Sequence, residues 1–119
     1  MPPKNIDLSA TNGTLHLETD DGFWCRAALS WDGVTRALGA TSVTDVQRHL
    51  LERLRCPSLS DVMMLAFVEP HGAIYARGDD CALVLLFEDI DGRKFANLTL
   101  EAEHVQTWVQ ELGKWCVTT

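Results

Sequence analysis

Val62-Met63-Met64-Leu65-Ala66-Phe67-Val68 and Ala82-Leu83-Val84-Leu85-Leu86-Phe87 are apolar runs without a single charge. Polar stretches bound them: Glu69-Pro70-His71-Gly72, Arg77-Gly78-Asp79-Asp80 and Glu88-Asp89-Ile90-Asp91-Gly92. Short apolar runs parted by turn residues read as strands of a tightly connected sheet. The pattern predicts strands over 62–68, 73–77, 81–88 and 94–98, a four-strand meander. For 62–68 a helix competes, because Ser58 and Asp61 resemble a capping box and Met63 to Ala66 are good helix formers. Length, the Val and Phe content and the tight turn after it decide for a strand. An uncharged run has no wet face, so cover is expected on both sides of this sheet.

Upstream, residues 1–13 hold two prolines, two asparagines and a glycine and read as a loose arm, with Ile6 and Leu8 able to anchor an edge strand. Thr14 to Thr19 and Phe23 to Leu29 form a hairpin about Asp20-Asp21-Gly22. In its second arm Phe23, Cys25, Ala27 and Leu29 share one face, and Trp24 and Arg26 the other. Ser30 is placed to cap a short helix over Trp31 to Leu38, which Gly39 would stop. Ser42 opens a stronger helix, with Val43, Val46, Leu50, Leu51 and Leu54 as its apolar stripe and Pro57 as its end. Thr99 is placed to cap a final helix with a Val105, Trp108, Val109 and Leu112 stripe, stopped by Gly113. Lys114 to Val117 then close the chain. No internal repeat is visible.

Segregated strands and helices predict an α+β fold. The expected form is a single compact domain over residues 1–119. Its sheet is mainly antiparallel, an N-terminal hairpin plus the meander, packed by two or three helices. The second face of the central strands is left for the hairpin or a second subunit to cover.

Seventeen acidic against ten basic side chains leave a net charge of −7. That opposes binding to nucleic acid, whose phosphates need cations, and docking on anionic membranes. It favours solubility and a basic protein partner. The N-terminal residues lack the apolar stretch of a signal peptide, and no run reaches membrane-spanning length, so a cytoplasmic protein is expected. Cys25, Cys56, Cys81 and Cys116 form no metal or redox spacing and read as buried free thiols, although their spacing also allows a disulfide.

Phosphate-binding glycine patterns, the serine-hydrolase elbow and zinc or calcium motifs are absent from the sequence, so neither cofactor nor metal is expected and the chain reads as a non-enzyme. Among the histidines, His71 alone sits in a turn as a loop-borne functional residue would; His16, His49 and His104 read as surface residues. A small metal-dependent enzyme centred on His71 is the weakest of three readings. The acids sit in turns. An up-and-down meander would gather Glu69, His71, Glu88, Asp89 and Asp91 at one end and place Asp79 and Asp80 at the other. Asp20 and Asp21 would join one of them. Aspartate suits turns without any function; the functional reading is an acidic rim for a basic partner.

Four tryptophans add candidate anchors. Trp108 lies on a core stripe, while Trp24, Trp31 and Trp115 are available, Trp115 as a partner-binding candidate beyond the glycine stop. The reading is therefore a small acidic binding or inhibitor protein that occludes the basic surface of a protein partner. Immunity proteins and phage-type inhibitors of a nuclease or nucleic-acid-binding complex act in this physical manner. The alternative is a self-associating subunit, a homodimer through an uncovered sheet face.

Overall fold

Apolar residues alternate with polar ones from Ile6 through the first half of the chain and run together in the second, and the backbone forms two antiparallel sheets. The computed structural model describes residues 4–55, 63–67, 72–78, 82–89 and 91–117. The first sheet has the order β1 (Lys4–Ser9), β2 (Gly13–Thr19), β3 (Trp24–Trp31), β4 (Val34–Ser42). The second has the order β5 (Met63–Phe67), β6 (Gly72–Gly78), β7 (Ala82–Glu88), β8 (Lys94–Glu101). A helical segment follows the first sheet: α1 (Val43–Val46), a π-helical turn (Gln47–Leu51) and α2 (Glu52–Arg55). Helix α3 (Ala102–Val117) follows the second. The same connectivity, four strands and then a helix, thus occurs twice in a chain whose sequence shows no repeat. The α+β class and the largely antiparallel sheet agree with the sequence reading.

Lys4–Ser9 are strand rather than arm: Ile6 and Leu8 face inward and pair with Leu17 and Leu15 of β2. The short helix expected over Trp31 to Leu38 does not form. Asp32 and Gly33 both take positive φ, 49° and 75°, which makes them the two central residues of a tight hairpin. Val34 and Thr35, β-branched, continue as strand, and Ser30 pairs with Thr35 instead of capping a helix. An Asp-Gly dipeptide between apolar runs signals a hairpin, and here it outweighs the capping signal. Leu38 is an extra, bulged residue of β4 opposite Ala27 and Ala28 of β3, and Leu38, Gly39 and Thr41 all lie buried.

Ser42 does cap the following helix, its hydroxyl accepting the Asp45 N–H at 3.0 Å, and all five residues of the expected stripe are buried. The last helix departs at both ends. Thr99 belongs to β8, and Gly113 lies inside α3, which runs on to Val117. Continuing the helix buries Trp115, which is 7% exposed, on the face of Trp108 and Leu112. That burial outweighs the roughly 1 kcal/mol that a mid-helix glycine costs. Val105 and Val109 of the expected stripe are half-buried and flank it.

The two units hold each other. Helix α3 lies across β1 of the first unit as well as β8 of its own, and the π turn packs on β5 of the second. The Trp108 indole N–H donates to the Ser9 carbonyl at 2.7 Å, fastening the helix to the end of the edge strand. Between β1 and β2 the Thr11 N–H reaches the Thr99 carbonyl at 3.1 Å, and Asn12 accepts the Thr99 N–H and donates to the Asn97 carbonyl. This loop covers part of the edge of β8. Inward residues of both sheets and both helices form one core cluster. On β7, Leu83, Leu85 and Phe87 are buried, and Val84 and Leu86 on the other face are partly buried.

Candidate functional site

The outward face of the first sheet carries the chemistry. Alternation puts Asp7 on β1, His16 and Glu18 on β2, Trp24, Arg26 and Ser30 on β3, and Thr35 on β4 on this side. At one end stands the β2–β3 turn, and the chain holds it rigidly. The Asp21 carboxylate accepts the backbone N–H groups of Phe23 and Trp24 at 2.8 and 2.9 Å. Those two bonds, Trp24's foremost, draw the Asp21 carboxyl below its ordinary value. The Thr19 hydroxyl donates to the Trp24 carbonyl at 2.5 Å and accepts the Gly22 N–H at 3.0 Å. From the helix side, the Val43 N–H donates to the Phe23 carbonyl at 2.8 Å.

The braced backbone displays two aromatic side chains to solvent. Phe23 is 75% exposed and Trp24 58% exposed, and neither belongs to the core. Phe23 therefore leaves the inward face that Cys25, Ala27 and Leu29 keep. Beside them Arg26 holds Asp20 at 2.9 Å and Glu18 at 3.3 Å, and these carboxylates, Asp20 first, hold its guanidinium above its ordinary value.

Among the described residues, the acids named from sequence lie in two separate turns. Asp20 is engaged with Arg26, and Asp21 is spent on the turn. Asp89 does the same work in the β7–β8 turn, accepting the N–H groups of Asp91 and Arg93, each at 3.0 Å. Glu88 is half-buried and Asp91 exposed beside it. This second turn leads into Phe95, whose ring meets Trp31 at a tilt, centroids 5.5 Å apart, and lies under Arg36 at 4.0 Å. Trp31 is the far end of β3 from Trp24, seven residues away or about 23 Å along a strand. So Asp20 and Asp21 stand apart from Glu88, Asp89 and Asp91. Glu69, His71, Asp79 and Asp80 lie outside the described residues. Trp115 is in the core and unavailable to a partner, because α3 does not stop at Gly113.

Farther along the same face, one polar side chain from each strand joins a continuous chain. His16 Nδ1 is 2.7 Å from Asp7 Oδ1, His16 Nε2 is 2.7 Å from Ser30 Oγ, and Ser30 Oγ is 2.9 Å from Thr35 Oγ1. Sequence reading placed His16 on an exposed strand face but missed this set, because its members are scattered over four strands and meet only through the register.

Other groupings offer less. Glu101, Glu103 and His104 bring ligand atoms within 4.8 Å, but His104 Nδ1 accepts the Glu101 N–H at 3.1 Å and so serves the start of α3. An open depression of about 240 Å³ over the π turn is lined by Thr44, Gln47, Arg48 and Glu52. Cys25 and Cys116 are free thiols, and burial pushes Cys25 up to about 12. Among the described residues no helix is long and apolar enough to cross a membrane.

Comparison with family models, with curated proteins and with solved structures found no match to this chain. Fold and site together define a two-unit α+β protein whose distinctive surface is an open sheet face with an aromatic tip.

Proposed function

We propose that the chain is a small acidic binding protein that occludes the basic surface of a protein partner, a nuclease or another nucleic-acid-binding protein being the fitting class. The observation that carries this reading is the β2–β3 turn. Exposing Phe23 and Trp24 forgoes the burial that large aromatics normally gain, and the bracing of their backbone lowers the ordering cost of a docking event. Exposed aromatic anchors ringed by polar side chains have the composition of binding hot spots. The net charge of −7, with Asp7 on the adjoining face and two carboxylates, Glu18 and Asp20, against the one Arg26 that they hold, adds attraction for a basic surface. The acidic partner surface is accordingly placed on the outward face of the first sheet, and the Glu88–Asp91 turn is left as a secondary contact.

Affinity capture at low and high salt, with wild type beside Phe23→Ala/Trp24→Ala, tests the proposal. A basic protein held by wild type at low salt, released at high salt and not held by the double variant is expected. Equal retention by the double variant would remove the aromatic tip from the mechanism.

A second reading has its own observation. Val84 and Leu86 are only partly buried on the outward side of β7, so a second copy covering that face would make a homodimer. Sedimentation at high micromolar concentration tests it, and a purely monomeric boundary counts against it.

A further inference from the structure

The Asp7–His16–Ser30–Thr35 chain has a direction that follows from chemistry. An ionised carboxylate only accepts hydrogen bonds, so the 2.7 Å contact at Asp7 requires the proton on His16 Nδ1. With the imidazole neutral, Nε2 is then an acceptor, and the hydroxyl 2.7 Å away on Ser30 must donate to it. Ser30 Oγ is left to accept from the Thr35 hydroxyl at 2.9 Å. Every donor in the row therefore points toward Asp7, the polarity in which an imidazole takes a serine proton. We propose that Ser30 is a nucleophile activated by His16, with Asp7 as the positioning residue, and that it accepts acyl groups from small, activated carboxylic esters.

The surroundings define the substrate class. Ser30 and His16 are only partly buried, His16 with 36% of its side chain exposed and Asp7 with 71%, so an ester reaches the hydroxyl from bulk solvent. The open sheet face encloses no substrate, which selects reactive esters over those needing tight binding. The Thr35 hydroxyl is committed to Ser30 Oγ, so the hydroxyl donor brought beside Ser30 is that of Thr14, its register partner on β2. Such a donor suits the oxyanion that forms at the attacked carbonyl.

In the step itself the Ser30 oxygen bonds to the carbonyl carbon as its proton passes to His16 Nε2. The bond to the leaving alcohol breaks, and the alcohol oxygen takes that proton. Water then attacks the Ser30 ester, gives a proton to His16, and releases the carboxylic acid as Ser30 regains its hydrogen. This inference stands apart from the binding reading, since it concerns acyl transfer and needs no partner.

The test uses the full chain with p-nitrophenyl acetate and, separately, a fluorophosphonate probe, with the modified residue located by mass spectrometry. Modification of Ser30 is expected, with a rate falling about a hundredfold in His16→Ala. Imidazole added to His16→Ala should restore modification, which a purely structural histidine would not permit. Asp7→Asn should slow the rate while leaving Ser30 as the modified residue. A wild-type protein whose Ser30 reacts no faster than its other serines overturns the proposal whatever the variants do. So does a rate unchanged in His16→Ala.

Discussion

Gly13 and Gly33 separate two reasons for a glycine. At Gly13 an added Cβ would meet the Ser30 carbonyl oxygen at 2.5 Å and Leu98 Cδ2 at 2.7 Å, because the first sheet approaches β8 there. At Gly33 space is open but φ is +75°. Gly13→Ala should therefore cost about 1–3 kcal/mol by overpacking. Gly33→Ala should cost about 1 kcal/mol through backbone conformation alone. Urea unfolding of both variants measures the difference, and equal small losses would contradict the close approach at Gly13. Cys25 gives a pH test. Its thiol is raised by burial from 9.0 to about 12, so the unfolded chain releases this proton first as pH rises. Stability from this group is intact below about pH 9 and declines above it. Urea midpoints near about pH 8 and about pH 10 should converge in Cys25→Ala relative to wild type, by the same linkage. At this scale sequence showed Cys25 as an inward residue and Trp24 as an outward one. Strand alternation places Phe23 inward, and nothing local reveals that the Asp21 turn carries it outward.

Elements were legible where one signal dominated. The Val43 to Leu54 stripe, capped by Ser42, and the alternation through β2 and β3 needed no tertiary information. Where signals competed, the global arrangement decided. Ser30 resembles a helix cap, but the Asp32-Gly33 turn and two β-branched residues carry the chain into β4. Gly113 resembles a stop, but Trp115 has a core position waiting one turn beyond Leu112. The docking of α3 on β1 was invisible, since it joins Ser9 to Trp108 across nearly the whole chain. Trp108→Phe keeps most of the apolar volume and removes the donor to the Ser9 carbonyl. It should cost about 1–3 kcal/mol by leaving that carbonyl unpaired. Chemical unfolding checks this; an unchanged midpoint would mean that α3 is held by packing alone.

For the whole molecule, the class was readable and the doubling was not. A repeated connectivity without sequence repetition leaves only hydrophobic patterns to compare, and these differ between the mixed first sheet and the uncharged runs of the second. The β2–β3 and β7–β8 turns stand apart, and Asp21 and Asp89 fasten their own backbones. What remains for a partner is an open face with charges held in place and two aromatics at its edge. Electrostatic attraction to it should weaken with salt, whereas the Phe23 and Trp24 contacts should set how long a partner stays.

The binding account is tested most directly by comparing three proteins in one low-salt affinity capture: wild type, Asp91→Lys, and Phe23→Ala/Trp24→Ala. The account predicts that the same basic protein is retained by wild type and Asp91→Lys and lost from the double variant. Retention by the double variant at the wild-type level, or capture of no basic protein by any of the three, would contradict it.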